Sequence, residues 1–168
     1  MSEKSEAVSF GERLAGSQAF ADLFRDGMAL VEETASYLDG PGRQESKKLE
    51  RNAALAYATE SMRLTTRLMQ LASWLLLHRA VKEGEMSLAQ ANKEKAKVKL
   101  SVGDRGDADT VRMLPERLCG LIDRSLRLQD RVRRLDATIH APSSIDADAN
   151  PVERQVNLLK AAFERDGA

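Results

Sequence analysis

The feature that most constrains the fold is a long run of helix-favouring residues, Arg43 to Glu83. This 41-residue stretch contains no glycine or proline and is rich in Leu, Ala, Met, Lys, Arg and Glu. Because these side chains lose little conformational freedom in a helix, the run predicts one long helix. Gly42 precedes the run and Gly84 follows it, as is common where helices begin and end. At 1.5 Å per residue, such a helix is about 60 Å long.

The composition agrees with an all-α protein. Charged residues make up 31% of the chain and aromatic residues only 4%. Lysine plus arginine equals aspartate plus glutamate at 26 each, so no net charge favours nucleic acid or a membrane surface. The single cysteine, Cys119, excludes an internal disulfide framework. With no apolar run long enough to span a bilayer and no secretion signal at the N-terminus, we expect a soluble cytoplasmic protein.

A first helix is predicted to start near Ser17 and to end before Asp39-Gly40-Pro41-Gly42. Its apolar residues recur at three- and four-residue spacing, and Gly27 lies in or beside that stripe. A glycine costs roughly 1 kcal/mol relative to alanine inside a helix, so we expect a neighbouring element to approach closely there. The short turn at residues 40–42 predicts that the first two helices are antiparallel neighbours.

The long helix is apolar on nearly every side over Met69 to Val81. A helix that is apolar all round is expected to be buried all round. Two sources of cover are open at this point: later helices of the same chain, or a second subunit. For the second alternative we predict Trp74 and Leu75 as dimer-interface residues.

A short helix is predicted over residues 87–100, where Ser87 and Gln90 have the spacing of a capping box. Its lysines indicate a solvated face, or alternatively a nucleic-acid contact that lacks interleaved aromatic residues; they are Lys93, Lys95, Lys97 and Lys99. The segment Ser101–Asp109, with two glycines and three aspartates, predicts a mobile loop.

The last long helix is predicted from about Thr110 to His140, with Pro115 near its start or at a kink. This stretch carries seven arginines against four acidic residues, whereas residues 1–40 carry eight acidic residues against three basic ones. Opposite charges on helices that pack together explain this contrast. The alternative is a nucleic-acid surface formed by the arginines of residues 112–134 and the lysines of the short helix.

The C-terminal segment has a different composition. Residues 141–149 are small, polar and acidic, which indicates a flexible linker. A closing amphipathic helix follows, and it either docks on its own bundle or binds a partner. Its candidate partner-binding residues are Val156, Leu159 and Phe163. The predicted organisation is a flexible arm at 1–16, a helical bundle at 17–140, and a linker with a tail helix at 141–168.

The predicted fold is therefore all-α: an elongated antiparallel bundle of three long helices plus a short helix, with a tethered C-terminal amphipathic helix.

No residue pattern indicates catalysis. His78 and His140 have no metal-ligand spacing, and Cys119 on an apolar stripe is read as a core residue. Glu60 and Arg63, one turn apart, predict an ion pair at a surface edge. We predict no catalytic residue, cofactor or metal, and no enzyme.

Two sequence blocks resemble a known family. They are residues 25–40, RDGMALVEETASYLDG, and residues 57–77, YATESMRLTTRLMQLASWLLL. Together with Gly84-Glu-Met-Ser, they closely resemble the RcdA family, the bacterial regulators of CtrA degradation. The resemblance is best over roughly residues 20–100.

The resemblance implies a non-enzymatic helical-bundle adaptor that can form homodimers. Such proteins bring cell-cycle regulators to the ClpXP protease after the response regulator CpdR has primed it, and they are recruited to the cell pole with it. A further adaptor, PopA, can dock on them to deliver CtrA. Two other classes stay open from the residues alone: a nucleic-acid-associated helical protein and a purely structural dimeric scaffold.

Overall fold

The computed structural model describes residues 17–95, 97 and 106–139, and these residues form six helices and no strand. The helices are α1 (Gln18–Asp39), α2 (Pro41–Lys47), α3 (Arg51–Lys82), α4 (Leu88–Lys95), α5 (Ala108–Arg112) and α6 (Glu116–Ile139). The prediction of an all-α bundle is confirmed. The N-terminal arm, residues 98–105 and the whole tail, including Val156, Leu159 and Phe163, lie outside the described residues.

Helix α1 begins and ends where the sequence predicts. Ser17 is its N-cap, and the Ser17 hydroxyl accepts a hydrogen bond from the Phe20 backbone N–H at 3.4 Å. This bond satisfies one of the N–H groups that a helix start leaves without an intrahelical partner. The helix ends at Asp39, and α2 begins at Pro41, so the predicted turn at residues 40–42 is confined to Gly40.

The prediction of one unbroken helix from Arg43 to Glu83 is wrong. Helix α2 ends at Lys47, the backbone at Glu50 is extended with ψ near 160°, and α3 begins at Arg51. Tertiary contacts explain the break, because none of the intervening residues disfavours a helix strongly. The Tyr37 hydroxyl donates to a Glu45 carboxylate oxygen at 2.6 Å, which fixes α2 against the end of α1. A single straight helix would carry Glu45 away from Tyr37, so packing overrides local propensity here.

Helix α4 has the predicted capping box. The Ser87 backbone N–H donates to Gln90 Oε1 at 3.0 Å, and the Gln90 backbone N–H donates to Ser87 Oγ at 3.1 Å. Gly84, between α3 and α4, has φ of 75°, a conformation that glycine adopts without steric strain.

The last long helix begins later than predicted. Instead of one helix from Thr110, the chain forms α5, a turn and then α6, with Pro115 directly before α6. The position of Pro115 at a helix start is confirmed. The interruption follows from proline chemistry, since Pro115 has no backbone N–H and disfavours helical geometry at Leu114.

The three long helices form the core of the bundle, and their directions follow from contacts between them. Helix α1 is antiparallel to α6, because Asp26 pairs with Arg131 while Glu33 pairs with Arg124. Helices α3 and α6 run parallel, because Arg67 contacts Ser125 and the later Trp74 contacts Asp136. The antiparallel arrangement therefore holds for α1 against α6, whereas α6 runs alongside α3 in the same direction.

At Gly27, other helices pack closely against the α1 backbone, as the sequence predicts. A Cβ atom placed on Gly27 would lie 2.5 Å from Leu75 Cδ1 and 3.6 Å from Leu128 Cδ2. Both leucines are buried, on α3 and α6 respectively. The missing side chain thus lets all three long helices meet at one point.

We predict that Gly27→Val lowers the free energy of unfolding by about 1–3 kcal/mol, because the added side chain overpacks the core at Leu75. Gly120→Val is the matched control, since Gly120 is also helical but has nothing within 4 Å of a built Cβ. The control should change stability by less than about 0.5 kcal/mol. Urea denaturation of both variants checks this, and an equal loss at the two sites would contradict the close-approach interpretation.

Candidate interaction surface

Helix α3 presents a row of exposed apolar side chains to solvent. Leu55, Met62, Met69 and Leu76 are 69%, 72%, 66% and 53% exposed. They are spaced by seven residues, so they lie along one face of the helix. We call these four residues the apolar ridge. Large apolar side chains that share one exposed helix face are typical of a surface that binds a protein partner.

The opposite side of α3 fills the core of the bundle. Leu64, Leu68, Leu71 and Leu75 are at most 4% exposed and pack with apolar residues of α1 and α6. Among the two alternatives for the cover of Met69 to Val81, the chain's own helices bury this inward side. The outward residues Met69 and Leu76 stay exposed.

Trp74 and Leu75, the predicted dimer-interface residues, are each 1% exposed in the single chain. The Trp74 indole N–H donates to Asp136 Oδ1 on α6 at 2.8 Å, and its ring stacks on His78 at a centroid distance of 4.0 Å. Neither side chain has a free surface for a second subunit, because the chain's own helices cover both. Self-association of the protein stays a prediction.

Sequence reasoning missed Leu55 and Met62 as members of an exposed surface. Their seven-residue spacing to Met69 and Leu76 is readable in the sequence. The core-facing leucines of α3 have a similar spacing. Periodicity alone does not say which of two neighbouring apolar rows faces the core, so the exposed row was not recognised.

The basic residues that suggested nucleic acid are largely engaged within the bundle. Lys95 Nζ lies 2.5 Å from Asp136 Oδ1, and Lys97 pairs with Glu94 at 3.0 Å. Arg124 contacts Glu33 at 2.6 Å, which joins α6 to α1. These contacts support opposite-charge packing as the reason for the charge contrast. Lys99 lies outside the described residues.

The Asp26–Arg131 contact has an electrostatic consequence. The Arg131 guanidinium, 3.1 Å from the Asp26 carboxylate, holds the pKa of that carboxyl below its usual value. The charged pair therefore stabilises the bundle at neutral pH, and the contribution is lost as the pH falls through the lowered pKa of Asp26. Both side chains are substantially exposed, so the contribution to stability is small.

Two charged side chains of α3, Glu60 and Arg67, are buried. Glu60 accepts from Arg63 Nη1 at 2.9 Å, which confirms the predicted ion pair, but the Glu60 side chain is only 4% exposed. Arg67, also buried, donates to Ser125 Oγ at 2.8 Å. Burial lowers the pKa of Arg67, while the nearby Glu60 charge favours its protonated form. The Arg67–Ser125 bond joins α3 to α6, whereas the Glu60–Arg63 pair lies within α3.

Cys119 is half-buried, and its thiol contacts the Val111 carbonyl oxygen at 3.6 Å. Burial raises the pKa of the thiol, which disfavours the reactive thiolate.

Among residues 17–95, 97 and 106–139, no three His, Cys, Asp or Glu side chains lie close enough to hold a metal ion. Within the same ranges, no helix has the length and apolar character needed to cross a membrane.

These features define a class: a helical bundle in which several polar contacts join helices and whose long central helix exposes an apolar ridge. Residues 11–163 match the model of a family described as proteins of unknown function, DUF1465. The crystal structure of RcdA from Caulobacter crescentus CB15 is similar to this chain, with 52% sequence identity and a TM-score of 0.65. The match covers 79% of this chain and 99% of that one. No curated protein matches the chain.

The chain belongs to the RcdA family, which the DUF1465 model describes. The family resemblance carried by residues 25–40 and 57–77 is thereby confirmed. Both blocks include core residues, among them Leu30, Tyr37, Leu64 and Leu71, so the matched strings encode the packed part of the bundle.

We predict that Asp136→Ala lowers the free energy of unfolding by about 1–3 kcal/mol. The change removes the acceptor of the buried Trp74 N–H and the partner of Lys95, and an unsatisfied buried donor costs about that much. Asp130→Ala, at an exposed position of the same helix, is the control and should cost less than about 0.5 kcal/mol. Because Trp74 is the one tryptophan, its fluorescence during urea unfolding measures both values directly. Equal stabilities would contradict a structural role for the Asp136 contacts.

Proposed function

We propose that this protein is a non-enzymatic adaptor that helps deliver cell-cycle regulators such as CtrA to the ClpXP protease. The observation that supports the proposal is membership of the RcdA family, with 52% identity to Caulobacter RcdA over 79% of this chain. The proposed partners are ClpXP primed by CpdR, a PopA-like adaptor, and CtrA or other cargo. The proposed location is the cytoplasm, with recruitment to the cell pole together with the protease.

An adaptor needs binding surfaces rather than reactive groups. It accelerates degradation by raising the local concentration of cargo at the protease, in the way that any linked pair of binding sites does. The apolar ridge of α3 supports this proposal, because it offers exposed apolar area along a rigid helix. We also propose that the protein self-associates.

The C-terminal segment is a second proposed binding element. Val156, Leu159 and Phe163 recur at three- and four-residue spacing, which predicts one apolar face of a short helix. An isolated helix of about 14 residues is marginal in water, so burial of this face against a partner would favour its folding. We propose that these three residues bind cargo or a further adaptor.

We predict that the protein accelerates loss of CtrA only when both ClpXP and its CpdR primer are present. The measurement is a reconstituted degradation assay that follows CtrA over time, with a PopA-like adaptor added or withheld. Each component is omitted in turn as a control. Cargo cleaved by this protein alone would contradict the adaptor proposal, as would identical cargo half-lives with and without the protein in every combination.

We predict that deleting residues 146–168 leaves the melting temperature of the bundle nearly unchanged and reduces delivery of at least one cargo or adaptor. Changing Val156, Leu159 and Phe163 to serine in the full chain should have the same effect. A matched control changes Arg154 and Ala161, on the other side of the predicted helix, to serine. Burial of one Val, one Leu and one Phe against the bundle would instead contribute several kcal/mol, roughly, to stability. A large drop in melting temperature with delivery intact would show that the tail is structural.

A further inference from the structure

A groove runs along the bundle where α1 and α6 lie side by side. It consists of two depressions of about 270 and 510 Å³, and Arg131 lines both. Helix α6 contributes four arginines at spacings of three and four residues: Arg124, Arg127, Arg131 and Arg134. The lining residues of α1 include two alanines and two aspartates, Ala19, Ala29, Asp22 and Asp26. We call this surface the arginine groove.

Two of the four arginines connect α6 to α1. Arg131 lies 3.1 Å from Asp26, and Arg124 lies 2.6 Å from Glu33. The two aspartates of the groove also contact Arg25, Asp22 at 3.3 Å and Asp26 at 3.4 Å. The carboxylates of the groove therefore already have cationic partners within the bundle.

The other two arginines, Arg127 and Arg134, are exposed. Within residues 17–95, 97 and 106–139, neither of them forms an ion pair. Asp130, the acidic residue one turn before Arg134, lines neither depression. With four arginines against two aspartates, the groove has an excess of positive charge that the described residues leave available to an acidic ligand.

The spacing of the two available arginines indicates the shape of that ligand. Arg127 and Arg134 are seven residues apart on one helix, so they lie about 10.5 Å apart on nearly the same face. A partner helix places carboxylates at the same distance on one face when they are seven residues apart. An extended strand does not, because side chains on its same face recur at about 6.6 and 13 Å. A helix therefore complements this pair of arginines.

The larger depression offers an apolar contact beside the arginines. Ala19, Leu23 and Leu135 are part of its lining. The alanine side chain is small, so it leaves room above α1 for a side chain of the ligand. An acidic helix that also carries an apolar residue on the same face thus contacts both parts of the groove, as amphipathic helices do when they dock between two others.

The charges of the groove favour a protein ligand over nucleic acid. Asp22 and Asp26 line the groove and would repel a continuous row of phosphates. No aromatic residue belongs to the lining of either depression, so stacking of bases is not available there. Two arginines also neutralise too few phosphates for strong binding, which depends on the number of counterions released.

A segment of the same chain fits the groove less well than a partner protein. In the C-terminal segment, Asp146 and Glu153 are seven residues apart. Pro151 lies between them and disfavours one helix through both positions. The spacing that matches Arg127 and Arg134 is therefore expected in another protein.

We propose that the arginine groove binds an acidic amphipathic helix of a partner protein. Two carboxylates of that helix, seven residues apart, pair with Arg127 and Arg134, and an apolar side chain between them enters the depression beside Leu135. This inference rests on the proposed adaptor function, which requires surfaces for protein partners. It assigns one such surface to the α1–α6 side of the bundle, formed by residues other than those of the apolar ridge.

The test uses a synthetic fifteen-residue peptide of alanine and glutamine, labelled with fluorescein. It has glutamates at its fourth and eleventh positions and a leucine at its eighth. Fluorescence anisotropy at low salt measures its binding to the purified full-length chain, and saturable binding is expected. Arg127→Glu combined with Arg134→Glu should weaken binding at least tenfold, because both ion pairs become repulsive. A peptide with lysines in place of the two glutamates should bind this double variant and not the unmodified chain.

The matched control is Arg43→Glu combined with Lys47→Glu, at exposed positions of α2 that lie outside the groove. It changes the net charge equally and should leave the affinity within twofold. A second control peptide has its glutamates at the fourth and ninth positions, on different sides of the helix, and should bind at least tenfold more weakly. Circular dichroism of both double variants checks that the bundle is folded.

Four outcomes would overturn the proposal. They are the absence of saturable binding, equal losses in the two double variants, equal binding of the two glutamate peptides, and displacement of the peptide by a short DNA duplex. A fifth is a tenfold gain in affinity after Asp146→Asn with Glu153→Gln in the full chain, which would assign the groove to the chain's own C-terminal segment. No protease or cargo is present in this assay, so its failure is distinguishable from a failure of the degradation assay.

Discussion

The bundle depends on the contact at Gly27. Because Gly27 has no side chain, leucines of the other two long helices pack directly against the backbone of α1. Leu75 of α3 and Leu128 of α6 occupy the space that a Cβ at this position would need. A glycine inside a 22-residue helix is locally unfavourable, so the packing of the two leucines must offset its cost. The core of the bundle also includes Phe20 and Leu71, each at most 2% exposed.

Polar contacts then determine how the remaining segments attach to the three helices. At one end of the bundle, Asp136 of α6 joins both α3 and α4. It accepts from Trp74 of α3 and from Lys95 of α4 while lying on α6 itself. At the other end, the Tyr37–Glu45 hydrogen bond attaches α2 to α1. Burial and the Glu45 charge both raise the pKa of Tyr37, so its hydroxyl remains a donor at physiological pH.

The sequence predicted features that depend on neighbours along the chain and missed those that depend on tertiary contacts. The start of α1 at Ser17 and the Ser87–Gln90 capping box follow from local chemistry, and both are confirmed. The close approach at Gly27 is a tertiary contact, but it was predictable because a glycine inside an apolar helical stripe is locally unfavourable. The break between α2 and α3 was missed because its cause is a contact with Tyr37. Trp74 and Leu75 are predicted at a dimer interface because an all-round apolar segment does not show which side its own chain covers; the structure buries both within the single chain, and a dimer interface stays a prediction. The tail residues Val156, Leu159 and Phe163 stay a sequence-based prediction.

Helix α3 has two apolar faces that differ in exposure, and this difference lets core stability and any association be studied independently. Leu75 and Leu76 are adjacent in sequence, yet Leu75 is 1% exposed and Leu76 is 53% exposed. A polar residue at position 75 would be buried in the core and would reduce stability whether or not the protein associates. At position 76 the same residue would remain in solvent in the monomer, so its effect would fall on binding. Loss of association after substitution at a core position of α3 therefore does not locate an interface, whereas loss at the apolar ridge with stability unchanged does.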